Sequence, residues 1–330
     1  MRFGYDARCL DHDTGTHHPE TAERLEAIRR RLSREHHVEF RPARLASVDT
    51  LCDAHDAAYV EKVREFCRAG GGSWDPDTVA VEATWEAARA SAGLAVEACE
   101  AALDGADGTD TPFALGRPPG HHALAGDAMG FCFFNNAIVA AEAALRRPAV
   151  QRVAIFDWDV HHGNGCEDMA AGREAIHYSS IHQQGLYPGS GQLGATDDGT
   201  LLNLPLPDGA GDAGYLDAVD RALVPALERF DPDLLIVAAG FDAHELDPIS
   251  TMQLSTEGYG LLADRLRGVA SRTNAAHAYV LEGGYGVDAL AGSVAMINEL
   301  YGGREPAEPT GEPSPAVSDV VDRVVDRQGL

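Results

Sequence analysis

Residues 153–165 read VAIFDWDVHHGNG. They begin as an apolar run and then set Asp157, Asp159, His161 and His162, two carboxylates and two imidazoles, within six positions. Alternate residues of an extended chain share a side, so at a strand end Asp159 and His161 can face one point. Asp242 follows a second apolar run, 234–240, and can bring a third ligand to that point from another strand. One imidazole and two carboxylates leave the fourth place of a tetrahedral zinc site open, which is the layout of a catalytic ion and not of a closed structural one. Iron(II) or cobalt suits the same three ligands. An ordinary polar strand end has the same appearance, and Asp-x-His alone does not separate the two readings.

The elements that must carry these residues are legible in the hydrophobic pattern. Apolar, β-branched segments at 113–115, 153–156, 175–181, 234–238 and 278–281 read as strands. Helix-period stretches lie between them at 19–32, where Leu25, Ile28 and Leu32 share a face, and at 80–103, 136–145, 213–230 and 255–269. Alternating strands and helices imply an α/β fold, a single domain with a central parallel sheet covered by helices on both faces. Ligands of such sheets sit outside the carboxyl ends of the strands. Here the segments end at GRPPGHHA, DWDVHHGNG, HQQGLYPGSG, GFDAHELDP and EGGYG, so five strands aim polar chemistry at one edge. After residue 302 a Pro/Glu-rich linker leads into Val317, Val320, Val321, Val324 and Val325 at helical spacing. The expected organisation is a catalytic domain over 1–302, then a linker and short amphipathic helix over 303–330 that docks on its own domain, the commoner arrangement, or on a partner.

The 330-residue chain carries 52 acidic against 26 basic residues, a formal charge of −26, and a single lysine, Lys62. Nucleic-acid binding needs clustered Lys and Arg to neutralise phosphates, so it is not expected. The acid excess fits a halophilic cytoplasm, because at molar salt the screening length is only about 3 Å and surface self-repulsion fades. A cationic partner is the other reading. Six cysteines without a CxxC pair argue against a disulfide framework, a zinc finger or a redox dithiol, and are expected to be free thiols mostly in the core. No 18-residue apolar run and no signal-peptide layout is present, so a cytoplasmic protein off the membrane is expected.

GRPPGHHA at 116–123, GFCFFNN at 130–136, DWDVHHGNG at 157–165, YPGSG at 187–191, AGFDA at 239–243 and LEGGY at 281–285 stand in this order. In these motifs the chain resembles the histone deacetylase family of the arginase–deacetylase fold, which includes acetylpolyamine amidohydrolases and acetoin-utilisation proteins. The likeness spans most of residues 1–300 and leaves the tail outside. It implies that Asp159, His161 and Asp242 hold one catalytic zinc ion. By the same likeness His121 and His122 are the tandem histidines, Asp157 and Asn164 their partners, and Tyr285 the residue that polarises the carbonyl. Asn at 164 resembles the class II branch. A structural potassium ion beside the zinc is implied at Asp157, Asp159, His161, Ser180 and Ile181. Phe131 and Tyr187 match the aromatic walls of an acyl-lysine tunnel, with Tyr187 departing from the more usual phenylalanine. Asp77 matches a rim position that holds the substrate backbone.

Amide hydrolysis needs an activated water, a polarised carbonyl and a proton for the leaving amine. His122 beside neutral Asn164 suits the base; His121 beside Asp157 is more readily cationic; Tyr285 supplies an oxyanion donor. The resemblance implies removal of acetyl groups from acetylated amines, with acetyl-lysine of proteins as first substrate and a small acetylated polyamine as the rival. Ile249 matches the tunnel-mouth position where polyamine-selective members carry glutamate, and an apolar residue there offers a remote ammonium no partner. A catalytically idle binding protein on the same fold is a reading of another class, disfavoured by the intact constellation. A two-metal ureohydrolase would need more carboxylates. His17 and His18 are expected to shape the entrance wall, and His36, His37, His55 and His244 to be surface or structural.

Overall fold

The computed structural model describes residues 1–42, 44–105, 111–196, 199–308 and 310–329. Its strands are β1 (Arg2–Tyr5), β2 (Phe40–Arg41), β3 (Gly72–Ser73), β4 (Val79–Ala80), β5 (Pro112–Leu115), β6 (Val153–Asp157), β7 (Ile176–Gln183), β8 (Gly194–Ala195), β9 (Leu201–Leu206), β10 (Leu234–Ala239) and β11 (Ala276–Leu281). The helices are α1 (Ala22–His36), α2 (Val48–Cys52), α3 (Ala57–Arg68), α4 (Thr84–Asp104), α5 (Asn136–Leu145), α6 (Asn164–Ala170), α7 (Asp212–Ala218), α8 (Val224–Phe230), α9 (Thr256–Thr273), α10 (Val287–Tyr301) and α11 (Pro315–Gln328).

Nine strands form one sheet in the order β2-β1-β5-β11-β10-β6-β7-β9-β8, parallel throughout except for β8, which runs antiparallel to β9 at the edge. The five segments legible as strands in the sequence are the contiguous centre, β5-β11-β10-β6-β7. That position explains their legibility. A strand covered on both faces reads as a near-continuous apolar run, and β6 and β10 are buried from end to end; β7 is buried throughout as well, yet carries His177 and, towards its carboxyl end, Ser179, Ser180, His182 and Gln183. The flanking strands escape the pattern: β2 and β8 have two residues each, and β9 holds Asn203 and Pro205. β3 and β4 form a separate small hairpin.

Helices cover the sheet. α4 and α5 pack on each other and against β5, β11, β10 and β6, while α1, α10 and α9 pack in succession, with α9 reaching β11. The segment read as one helix over 213–230 is α7 and α8 joined through a π-helical turn, Val219–Leu223. Trp158, directly after β6, is fully buried among the rings of Phe156, Phe241, Tyr259 and Tyr279. A smaller core of Leu51, Tyr59, Val60, Val63, Phe133 and Phe134 takes Trp74 and Trp85 against it and so supports the loops above the strand ends. Five cysteines are buried and Cys52 is half-buried, all as free thiols.

The tail helix α11 docks on its own chain, with Val317, Val321 and Val324 buried against α7, β8 and β9. Ser314 caps its first turn, Asp322 pairs with Arg221, and Arg229 donates to the carbonyls of Gln328 and Gly329. Pro309 of the linker and the terminal Leu330 lie outside the described residues.

Candidate active site

β6 and β10 are neighbours, with Ala238 opposite Asp157, so the loops leaving them share one edge. Asp159 and His161 sit on the loop after β6, and Asp242 lies three residues past β10. Among the described residues these three form a cluster whose donor atoms all fall within 4.8 Å of one another. His161 Nδ1 is 3.0 Å from Asp159 Oδ1 and 3.2 Å from Asp242 Oδ2. Backbone N–H groups orient the carboxylates: Gly283 donates to Asp159 Oδ2 at 2.8 Å and Val160 to Asp242 Oδ1 at 2.9 Å. A Cβ at Gly240 would collide with the Asp159 carboxylate, and one at Gly283 with Asp242, so glycine lets both backbones close on the cluster.

The donor set fits a divalent cation. Asp159 and Asp242 are fully buried, and two buried carboxylates side by side require positive charge. Without an ion, burial and then the neighbouring Asp159 push Asp242 up to about 7. Burial works against the His161 imidazolium, yet hydrogen bonds to Asp159 and Asp242 outweigh it and raise the imidazole to about 10. A proton is thus held where a metal would neutralise the same charge, by two hard oxygens and one nitrogen.

The tandem histidines have opposite environments. His121 Nδ1 donates to Asp157 Oδ2 at 2.9 Å. Burial opposes its cation, but the charges of Asp159 and Asp157 raise it to about 10. His122 Nδ1 donates to the amide oxygen of Asn164 at 2.8 Å. Burial first, and then the cationic His121 and His161, hold His122 well below 6.5. Its Nδ1–H being committed, Nε2 is the free acceptor. The two rings lie 4.0 Å apart, so one cation beside one neutral imidazole is the state that avoids like-charge repulsion.

A cavity of about 630 Å³ opens over this cluster. His122, His161, Tyr285, Phe131, Tyr187, Ile249, Asp77, His17 and His18 all line it. Phe131 holds a left-handed backbone at φ 71°, a strained state for a bulky residue, and its N–H donates to Thr78 Oγ1. Its ring stands edge-on to His18 at 4.5 Å and to Tyr285 at 6.0 Å. Tyr187 faces His122 edge-on at 5.1 Å and is 40% exposed, so this wall reaches from the histidine to the rim. His18 Nε2 donates to the Asp77 carbonyl at 2.9 Å, which ties the two rim loops. Ser180 lies opposite Asp157 in the β6–β7 ladder, with Ile181 next along β7. His55 is buried between the Leu124 carbonyl and the Asn135 N–H, and His244 between Thr256 and the Leu246 N–H.

Several supporting residues escaped the sequence reading. Glu282 is fully buried and accepts from the N–H groups of Gly120 and His121. Arg24, also buried, donates to the carbonyls of Glu282 and Gly284 and lies 5.0 Å from the Tyr285 ring centroid. Glu20 joins Arg24 to buried Arg117. Tyr178 donates to Asp157, and Asp247 accepts from the N–H groups of Tyr285 and Gly286. The available signal was a charge set within a motif that otherwise packs, as Arg117 is in GRPPGHHA and Glu282 in LEGGY.

The family model for the histone deacetylase domain matches residues 18–300. A histone deacetylase-like amidohydrolase of Pseudomonas aeruginosa is 39% identical, over 92% of this chain and 86% of its own length. A probable deacetylase of Methanothermobacter thermautotrophicus is 37% identical, over 94% and 93%. The crystal structure of the HD domain of HDA15 superposes with a TM-score of 0.89 at 32% identity, covering 99% of this chain and 93% of that one. Among the described residues no helix is long and apolar enough to cross a membrane. With the model match running through every strand end that supplies the cluster, the chain belongs to the histone deacetylase family.

Proposed function

We propose that this protein is a zinc-dependent amidohydrolase that removes acetyl groups from acetylated amines, with acetyl-lysine of proteins as the preferred substrate. The observation that carries the reading is His122: a neutral imidazole with its free nitrogen in the same cavity as the Asp159–His161–Asp242 cluster and Tyr285. Zinc held by these three ligands supplies Lewis acidity and makes water more acidic. His122 Nε2 takes the proton of the attacking water and returns it to the departing nitrogen. His121, kept cationic by Asp157 and Asp159, faces the negative charge that develops at the carbonyl, and Tyr285 donates a hydrogen bond to it. Phe131 and Tyr187 flank an aliphatic stem, and Asp77 at the rim holds the substrate backbone. Potassium at Asp157, Asp159, His161, Ser180 and Ile181 would stiffen the loop that presents the ligands. Residues 1–302 form the catalytic unit and 303–330 an appendage docked on it.

A small acetylated polyamine is the second reading. Ile249 in the cavity wall favours the first, since an apolar side chain at that position offers a remote ammonium no partner. The test is turnover of metal-reconstituted protein on a matched acetyl-lysine peptide and acetylated polyamine, with metal content measured in wild type, Asp159→Ala and Asp242→Ala. Hydrolysis of neither substrate by metal-loaded wild type would favour the idle binding protein, and unchanged metal content in both variants would remove the ligand assignment.

A further inference from the structure

Asp247 lies outside the chemistry above, yet its carboxylate meets two parts of the site at once. It is 6% exposed. Its Oδ2 accepts from the backbone N–H of Tyr285 at 2.6 Å and of Gly286 at 2.8 Å, and its Oδ1 from that of Ile249 at 3.1 Å. The Ile249 bond is a local turn, two residues along. The other two cross 38 and 39 residues to the turn that carries the oxyanion donor. Gly286 is also the N-cap of α10, where a carboxylate is favoured by the helix dipole.

The segment around Asp247 is held at further points. Ser250 Oγ donates to the Asp242 carbonyl at 2.5 Å, and the Thr251 N–H to Gln183 Oε1 at 3.1 Å. Residues 247–251 therefore run from the Tyr285 turn, past the tunnel mouth, to the backbone of a proposed metal ligand. Arg24 holds the far side of the Tyr285 turn through the Gly284 carbonyl. Short hydrogen bonds to an ionised acceptor are strong and directional, so a carboxylate shared between two segments fixes their separation.

Building on the deacetylase reading, we infer that Asp247 is a positioning residue that sets Tyr285 and Ile249 relative to each other, so that oxyanion stabilisation and substrate selection depend on one carboxylate. The hydrogen bonds of its carboxylate go to backbone N–H groups, although its charge is felt by Asp242. The two oxygens divide the labour. Oδ2 serves catalysis through Tyr285; Oδ1 serves selection through Ile249.

Two substitutions separate these roles. Asp247→Ala frees both segments and should lower kcat by about 10²-fold on both substrates, the scale of an ångström-level misplacement, with metal content unchanged. Asp247→Asn keeps one acceptor oxygen, which serves best on the side with two donors and turns its amide towards the Ile249 N–H. It should hold kcat within about threefold of wild type while moving the acetyl-lysine to polyamine ratio of kcat/KM about tenfold, a loss of register at the mouth. In a Tyr285→Phe background, where no hydroxyl remains to position, Asp247→Ala should cost less than about threefold. Amide hydrogen exchange on the full chain supplies a readout independent of activity: protection of Tyr285, Gly286 and Ile249 should fall in Asp247→Ala, while 153–157 stays protected. If wild type hydrolyses neither substrate, the deacetylase reading fails and exchange alone decides the inference. Unchanged protection at Tyr285, or an equal cost of Asp247→Ala with and without the Tyr285 hydroxyl, would overturn it.

Discussion

Asn164→Asp isolates the charge state of the proposed base. Asn164 presents its amide oxygen to His122 Nδ1 at 2.8 Å, while its nitrogen points to the His122 carbonyl and to Met129 Sδ. The substitution keeps shape and acceptor and adds one negative charge. A carboxylate at this distance raises a neighbouring imidazole by about 1–3 units, each unit being about 1.4 kcal/mol. The base acts unprotonated, so raising its pKa moves the acid limb of kcat/KM towards higher pH. For a shift of about 2 units, activity falls by about 10²-fold at a pH below both limbs, by about tenfold one unit below the new limb, and above it the plateau changes only a few-fold. The assay is kcat/KM against pH for metal-loaded wild type, Asn164→Asp and Asn164→Ala. The alanine variant leaves Nδ1–H without an acceptor and should lower the whole profile while moving its limb slightly towards lower pH, because the Asn164 hydrogen bond is one of the contacts that raise His122. An acid limb that stays put or moves down in Asn164→Asp would refute His122 as the base.

Three further outcomes follow from the same structure. His12, His55 and His177 are buried and each held down at about 4, chiefly by burial, against 6.5 when unfolded. The unfolded chain therefore takes up more protons below 6.5, and stability should fall as pH drops from 6.5 to 4, on the order of 1 kcal/mol per pH unit for each histidine; a chemical-denaturation series with flat stability over that window would contradict it. Ile249→Glu should move the kcat/KM ratio towards acetylated polyamine by roughly 1–2 kcal/mol, a partly desolvated charge contact that shrinks with salt; an unmoved ratio defeats the role given to Ile249. Melting temperature should rise steeply from low to molar potassium chloride, through screening of the acidic surface and filling of the proposed potassium site; a flat curve would favour the cationic-partner reading of the charge.

The sequence by itself determined the centre of the sheet and the residues gathered at its edge. Both are local signals: a strand buried on two faces reads as a near-continuous apolar run, and DWDVHHGNG, AGFDA and LEGGY each follow directly on such a run. The direction of a parallel strand then puts those residues at one end without further information. What only the tertiary structure decided is how that edge is held. Glu282 meets the N–H groups of Gly120 and His121 across 162 and 161 residues, and Arg24 reaches the Gly284 carbonyl across 260. Asp247 serves Tyr285 and Ile249 together. These partners are backbone groups, which every residue possesses, so no spacing of side-chain types marks them. The flanking strands were illegible for other reasons: β2 and β8 are two residues long, β1 alternates buried and half-buried residues, and β9, though mostly buried, is interrupted by Asn203 and Pro205. Whether α11 folds back or reaches outward was likewise undecidable from its valine stripe; the complementary surface beneath it comes from α7, β8 and β9, elements that meet only once the sheet has formed.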